Sequence, residues 1–266
     1  VATEPAPTEP VATEPAPTEP VATESEPTEP MVTEPAPVCK SGPAQQLGQI
    51  TDSISGAGLA DVTVTIAGCS TKTDANGYYT LDNIAENENA VVNVEKEGYL
   101  LGSAKIQIKE LSGDSTPSTN YLEYALDTYN NQWSFDSQTS VSDAHINITA
   151  SVYTNTAGDL YTGAVSAVLE IQDITTNIGR KVFPGSFEGQ NTYGEIQQFV
   201  SHGLISLLCK DANGNPLNFT DGTIATLTFD AVASMEGQNI IPLWYYDYLQ
   251  GLWIEEGYAE RQTDGT

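Results

Sequence analysis

"GQITDSISGAGLADVTVTIAGCSTKTDANGYYTL", residues 48–81, alternates small polar and branched apolar side chains over most of its length. Val62, Val64 and Ile66 point one way and Thr63 and Thr65 the other, the period of two expected of a half-buried strand. Asp52 to Gly58 is a Gly/Ser loop between "QLGQITDS" and this strand. Asn76-Gly77 tolerates positive φ and sets a turn before the next strand. Simple hairpin pairing of residues 47–52 with 62–67 is expected, which places Cys69 opposite Gln45.

The same texture extends downstream. "AVVNVEKEGYL" (90–100), "AKIQIKE" (104–110) and "NYLEYAL" (120–126) read as further strands. Beyond residue 130, "HINITASVYTN" (145–155), "AVSAVLEIQDI" (164–174) and "LISLLCKDANGNPLNFTDGTIATLTFDAV" (204–232) are strand-rich again, with "KDANGNPL" as a hairpin turn. "YYDYLQGLWIEE" (245–256) reads as a second hairpin, and the Phe183-Pro184 pair as part of a loop. The fold class is all-β: two tandem β-sandwich domains, residues 39–130 and 131–266, preceded by an extended arm. The second domain ends on a strand with no closing partner, so an exposed edge at its C-terminal side is expected.

Residues 44–130 resemble the carboxypeptidase regulatory-like domain, a transthyretin-like β-sandwich. The resemblance rests on Gly48, on Gly56-Ala-Gly-Leu59, on Val62 and Val64, on Thr73-Asp74 with Gly77-Tyr78, and on Gly98-Tyr99 within "VNVEKEGYL". Gly58 stands where that family often has proline, and "AENENA" (85–90) replaces a Pro-Gly turn; both departures fall in loops. The family is usually a rigid spacer or adhesion module, and its namesake peptidase needs a separate zinc domain. The fold is therefore implied and hydrolysis is not, since no HxxE or HExxH occurs. The second half is similar, more loosely, to a β-domain of bacterial surface proteins and of cartilage intermediate layer protein-like molecules, which share a "PLWYY…GLW…EG" hairpin.

Residues 1–38 repeat Thr-Glu-Pro with a five-residue phase, and ten of the fifteen prolines lie there. Proline fixes φ, removes a backbone donor and holds the preceding residue extended, which favours polyproline II over helix or central strand. At ~3.1 Å per residue the arm spans roughly 120 Å. A step of five residues turns each threonine about 240° from the last, so the hydroxyls of Thr3, Thr8, Thr13, Thr18, Thr23, Thr28 and Thr33 surround the rod. Threonine beside proline is a common O-glycosylation setting, and Asn147 and Asn218 head N-glycosylation sequons. An acidic spacer and a glycan-coated stalk both fit the arm.

Charge narrows the partners. Nine Lys+Arg stand against 36 Asp+Glu; setting aside eight glutamates in the arm leaves 28 acids, a net of −19. That field excludes nucleic acid and anionic membrane surfaces as expected partners. No apolar run reaches the ~18–20 residues of a membrane-spanning helix, so no membrane insertion is expected. The chain opens on Val and shows no signal peptide, which reads as a mature fragment of an extracellular or cell-surface protein.

Candidate sites are few. His145 and His202 have no second ligand at metal spacing, and Ser186 in "GSFEG" lacks the spacing of a nucleophile elbow, so no enzyme and no cofactor are expected. Asp211, Asn213, Asn215 and Asp221 offer alternate oxygens to a structural Ca²⁺, but no glutamate stands twelve residues on, and a plain β-turn is the competing reading. Trp244, Tyr245, Tyr246, Tyr248 and Trp253 form either a sugar-stacking platform or, on alternation, largely core. Cys39 and Cys69 are expected to pair, stapling the arm to the first domain, with Cys209 buried or bridged to Cys39 or to another chain.

Two functions remain open. One is a non-enzymatic extracellular structural protein, a glycosylated fibril or stalk subunit that self-associates into a homopolymer through β-domain and arm contacts. The other is a monomeric adhesin-like module that binds glycan or Ca²⁺. Mass spectrometry of native material is expected to find heavy adducts on Thr3, Thr8 or Thr13; bare arm peptides would remove the glycan coat.

Overall fold

Alternation does become strand, but the strands pair differently from the simplest hairpin scheme. The computed structural model describes residues 38–109, 120–130, 132–137, 141–142, 146–148, 153–220, 225–228 and 239–262. The arm with its seven threonines, His145 and Asp221 lie outside the described residues. The first half contains β1 (Ser41–Asp52), β2 (Thr63–Ile66), β3 (Cys69–Lys72), β4 (Tyr78–Ile84), β5 (Asn87–Glu95), β6 (Gly102–Ile108) and β7 (Asn120–Leu126). They form two sheets, ordered β4-β1-β7 and β3-β2-β5-β6.

β1 and β2 therefore belong to opposite sheets, and the expected pairing of 47–52 with 62–67 does not occur. β1 runs antiparallel to β4, with Gln49 opposite Tyr78, and parallel to β7, with Ile50 beside Tyr124. β2 pairs instead with β3 and β5. The reason is the loop after Asp52. Its carboxylate accepts the Ile54 and Ser55 amides, and the chain folds back on β1 only as far as Gly58 and Leu59, whose amide donates to the Ile50 carbonyl, before crossing to the other sheet at Thr63. Both sheets turn one face inward: Ala44, Ile50, Tyr79, Leu81 and Leu126 from the first meet Val64, Ile66, Val92 and Val94 from the second. Gly48 is required by close approach, because a Cβ there would lie 2.1 Å from the Leu122 carbonyl oxygen and 2.6 Å from the Tyr79 ring.

Cys39 and Cys69 are joined by a disulfide with a Cα–Cα distance of 4.5 Å. It ties the residues just before β1 to the start of β3, and so links one sheet to the other. β1 begins at Ser41 and bulges before Ala44, since Ser41 and Ala44 both stand opposite Ile84.

The second half contains β8 (Gln132–Asp136), β9 (Val141–Ser142), β10 (Ile146–Ile148), β11 (Tyr153–Thr154) and β12 (Ala164–Gln172), then the helix α1 (Asn177–Val182). β13 (Glu188–Gln190), β14 (Ile196–Gln198), β15 (Leu204–Lys210), β16 (Pro216–Phe219), β17 (Ala225–Leu227), β18 (Ile240–Asp247) and β19 (Leu252–Glu260) complete it. The sheets run β11-β16-β15-β12-β8, β17-β10-β9 and β14-β13-β19-β18. β19, the last described strand, has a neighbour on each side, so among the described residues the edges of its sheet are β14 and β18. Cys209 carries no disulfide and is buried beside Tyr153, Ala167 and Leu217; burial pushes its thiol up to about 12.

One turn recurs at Asp74–Gly77, Asn155–Gly158, Asn191–Gly194 and Asp211–Gly214. In each, the Asx side-chain oxygen accepts the amides two and four residues on. Its carbonyl accepts the glycine amide, and the glycine sits at φ between 80° and 87°. A short polar side chain thus satisfies donors the turn would otherwise strand, and glycine takes the left-handed position.

The disulfide closes a loop with a separation of 30 residues. Cys39→Ser or Cys69→Ser is expected to lower unfolding free energy by about 3–4 kcal/mol through the entropy of the unfolded chain. Urea unfolding with and without reductant measures this, and coincident midpoints would contradict it.

Candidate functional site

The aromatic hairpin β18–β19 organises one end of the second half. Trp244 and Tyr246, two residues apart, share a face of β18, and Tyr246 pairs with Trp253 across the hairpin. The turn is closed by Asp247, whose carboxylate accepts the Leu249 and Gln250 amides and whose carbonyl accepts the Gly251 amide.

A second segment supplies more rings to this face. Thr176 caps α1 by accepting the Gly179 amide at 3.0 Å, and Arg180 and Lys181 occupy its last turn. The chain then turns extended at Phe183, whose ring stacks on Trp253 with centroids 5.0 Å apart. Trp253 Nε1 donates to the Pro184 carbonyl at 3.0 Å, which fixes the indole against the loop. Phe199, following β14, stacks on Trp244 at 4.8 Å and meets Trp253 edge-on. Offset and edge-on pairs of this kind add roughly 0.5–1.5 kcal/mol each beyond simple burial.

Above these rings lies an open groove of about 260 Å³. Phe183, Phe199, Trp244 and Trp253 line it, with Leu204 and Ile205 of β15 and Ile241 and Pro242 of β18. Its rim is apolar and faces water: Val200 is 81% exposed, Ile171 48% and Leu243 39%. The polar lining is largely committed elsewhere. Ser201 donates to the Gly203 carbonyl, Gln172 donates to Asp127, and Asp173 accepts from the Thr175 hydroxyl and amide. Those Thr175 bonds hold the Asp173 carboxyl below the usual carboxylate range. His202 lines the same groove. The chemistry on offer is ring stacking and burial of apolar surface in an open groove.

Below the groove the hairpin joins the first sandwich; all described residues belong to one compact unit, Pro35–Thr266. Ser103 is fully buried at the junction. Its hydroxyl meets the Tyr246 hydroxyl at 3.2 Å, its amide donates to Tyr124 Oη, and its carbonyl accepts the Gly185 amide at 3.0 Å. Tyr124 Oη in turn donates to the Val182 carbonyl, the last residue of α1. Asn93 Nδ2 donates to the Tyr248 carbonyl at 2.8 Å, and the Gly251 Cα packs so near Val91 that a Cβ would come within 2.7 Å of it. Burial raises the hydroxyl pKa values of Tyr124, Tyr246 and Tyr248.

Most of the residues marked out by sequence lie apart from this groove. Asn147 on β10 and Asn218 on β16 are both solvent-exposed. Asp211 folds onto its own turn: Oδ1 accepts the Asn213 and Asn215 amides and Oδ2 accepts the Asn215 side-chain amide, so Asn215 presents its donor inward. Among the described residues, no three His, Cys, Asp or Glu side chains come together. The aromatic set divides, with Tyr246 and Trp253 buried and Trp244 partly open at the groove. Sequence reasoning missed Phe183 and Phe199. The signal for the first was Thr176 at a helix N-cap position with Arg180 and Lys181 four and five residues later.

No family model matches the sequence, and no curated protein matches it. Among solved structures, one from Bacteroides uniformis, provisionally described as a carbohydrate binding protein, aligns over 70% of this chain and 100% of its own, with 9% identity and a TM-score of 0.25. A likeness that slight transfers neither ligand nor partner.

Free tyrosine ionises near pH ~10. The fold raises these tyrosines, as it raises Tyr79 to about 12, so the unfolded chain releases its protons first. Stability is therefore complete below pH about 10 and declines as pH rises toward the folded values. Circular dichroism should match at pH 7 and 9, then show cooperative unfolding above pH about 10 together with buried-tyrosinate absorbance. Tyrosinate appearing with the fold intact would contradict the raised values.

Proposed function

We propose that the chain is a non-enzymatic extracellular structural protein, a subunit of a surface fibril or stalk that self-associates through its β-domains. The observation that carries this reading is the aromatic groove with its apolar rim of Ile171, Val200 and Leu243, which the single chain leaves facing water. An aromatic-floored apolar groove open to water is the kind of concave surface that ligands and partners occupy. Three further features support the reading. A disulfide at Cys39–Cys69 suits an oxidising compartment. The exposed sequon asparagines Asn147 and Asn218 suit a secreted surface. The strong acidic balance keeps isolated subunits soluble while leaving a largely apolar groove to join them. The resemblance of residues 44–130 to a spacer domain, and the arm's capacity for O-glycans, fit a stalk as well.

Glycan binding in the same groove is the second reading, favoured by the open part of Trp244. It is weakened because Gln172, Asp173 and Ser201 in the groove are already bonded within the chain, leaving few polar groups to meet sugar hydroxyls. Sedimentation and negative-stain microscopy separate the two. Wild-type chain is expected to form concentration-dependent polymers, and Val200→Asp to shift them to monomers with an unchanged circular dichroism spectrum. A monomer at every concentration that captures a glycan, and loses it on Trp244→Ala, would replace the assembly reading with the binding one.

A further inference from the structure

We propose that the groove is a receptor for polyproline II, and that its occupant is the Pro-Thr-Glu-Pro stretch of the N-terminal repeat from a neighbouring copy of this chain. The proposal rests on the assembly reading above and names the contact that would make it. The repeat contains Pro-x-x-Pro three times, at Pro7–Pro10, Pro17–Pro20 and Pro27–Pro30. In polyproline II, with three residues per turn, the two prolines of such a stretch share a face and stand about 9 Å apart. Aromatic-lined grooves recognise this shape because the segment loses little conformational entropy on docking. The groove offers Phe199 and Trp244 on its floor and Val200 and Leu243 on its rim, an uncharged contact surface for stacked pyrrolidine rings.

The open edge beside the groove argues for the same occupant over an added β-strand. β18 borders the trough and, among the described residues, has a strand partner on one side only. Pro242 stands within it, opposite Tyr258, and brings no N–H to a ladder. A strand laid along residues 240–244 would lose a backbone bond there, whereas a polyproline II segment needs no continuous ladder. Proline on an edge strand is the usual way of discouraging strand addition.

Charge modulates the fit weakly. Glu9, Glu19 and Glu29 fall between the paired prolines, and Arg180 and Lys181 stand on the helix that leads into Phe183, two of the nine cations in the chain. Asp173 lines the same groove with the opposite sign, so ring contact and not ion pairing is the main attraction. The repeat also sets valency. Copies of the motif ten residues apart give one arm several equivalent docking registers, which raises avidity without any new contact.

The test uses the full chain and a synthetic peptide of residues 1–20. Excess peptide is expected to disperse polymers to monomers in sedimentation velocity and to shift tryptophan emission to the blue. The peptide carrying Pro7→Ala, Pro10→Ala, Pro17→Ala and Pro20→Ala should act at least about tenfold more weakly, a difference of about 1.4 kcal/mol. Val200→Asp and Leu243→Ser, both at exposed rim positions, should each weaken the native peptide by a similar factor with an unchanged circular dichroism spectrum. Polymers that persist at ~1 mM peptide, or that disperse equally with the alanine peptide, would overturn the proposal and leave assembly itself standing. Failure of the wild-type chain to polymerise at all would instead overturn the reading on which it rests.

Discussion

Ser103 is where the two halves of the molecule become one. Its hydroxyl, amide and carbonyl reach Tyr246, Tyr124 and Gly185 respectively, and Tyr124 passes the connection on to the end of α1. A buried polar group costs free energy unless partnered, and three partners in one place satisfy one another only when both halves are seated correctly. The junction therefore specifies a single orientation, which greasy contact alone would not. Everything above it inherits that constraint. Phe183 leaves α1 at a fixed point, Trp253 locks to Pro184, and the groove has a floor because neither ring can swing away.

The division between legible and illegible follows the range of the interaction. Val62, Val64 and Ile66 announced a buried face through a period of two, and all are fully buried. The Asx-to-Gly turns were legible too, since their wiring is confined to five residues, and "DANG" at 74–77 and 211–214 yields the same hydrogen bonds twice. Strand partners were not. Whether β1 pairs with β2 or crosses to β4 and β7 depends on contacts up to 74 residues away, such as Ser53 with Asp127, which leave no local pattern. The groove was half legible. Its tryptophans stand out in "PLWYYDYLQGLW", but Phe183 and Phe199 join them only through a six-residue helix and the loop after an edge strand. An element that short has too few positions to show a period.

The groove also shows how a sheet edge can be left open without inviting disorderly growth. β18 is apolar and, among the described residues, paired on one side only, the combination that templates aggregation. Pro242 interrupts its donors, and the bulge at Glu256–Gly257, where Gly257 takes φ of 74°, twists the pair locally. The surrounding surface carries an excess of carboxylates, so contacts away from the groove are repulsive. The groove thus sits beside an edge that carries two features discouraging strand addition.

The disulfide has a mechanical consequence. Cys39 stands between the arm and β1, and its sulfur is bonded to Cys69 at the head of β3 in the opposite sheet. Tension applied through the arm reaches the sandwich at Cys39 before it reaches Ser41. There it divides, one path running along β1 and the other crossing covalently into the β2–β3 hairpin. β1 is flanked by β4 over Ser41–Gln49 and by β7 over Gln46–Asp52, so a pull along its axis loads both ladders in shear instead of unzipping one bond at a time. Detaching the arm requires both sheets to yield together, and a tether anchored in this way resists force far better than its thermodynamic stability suggests.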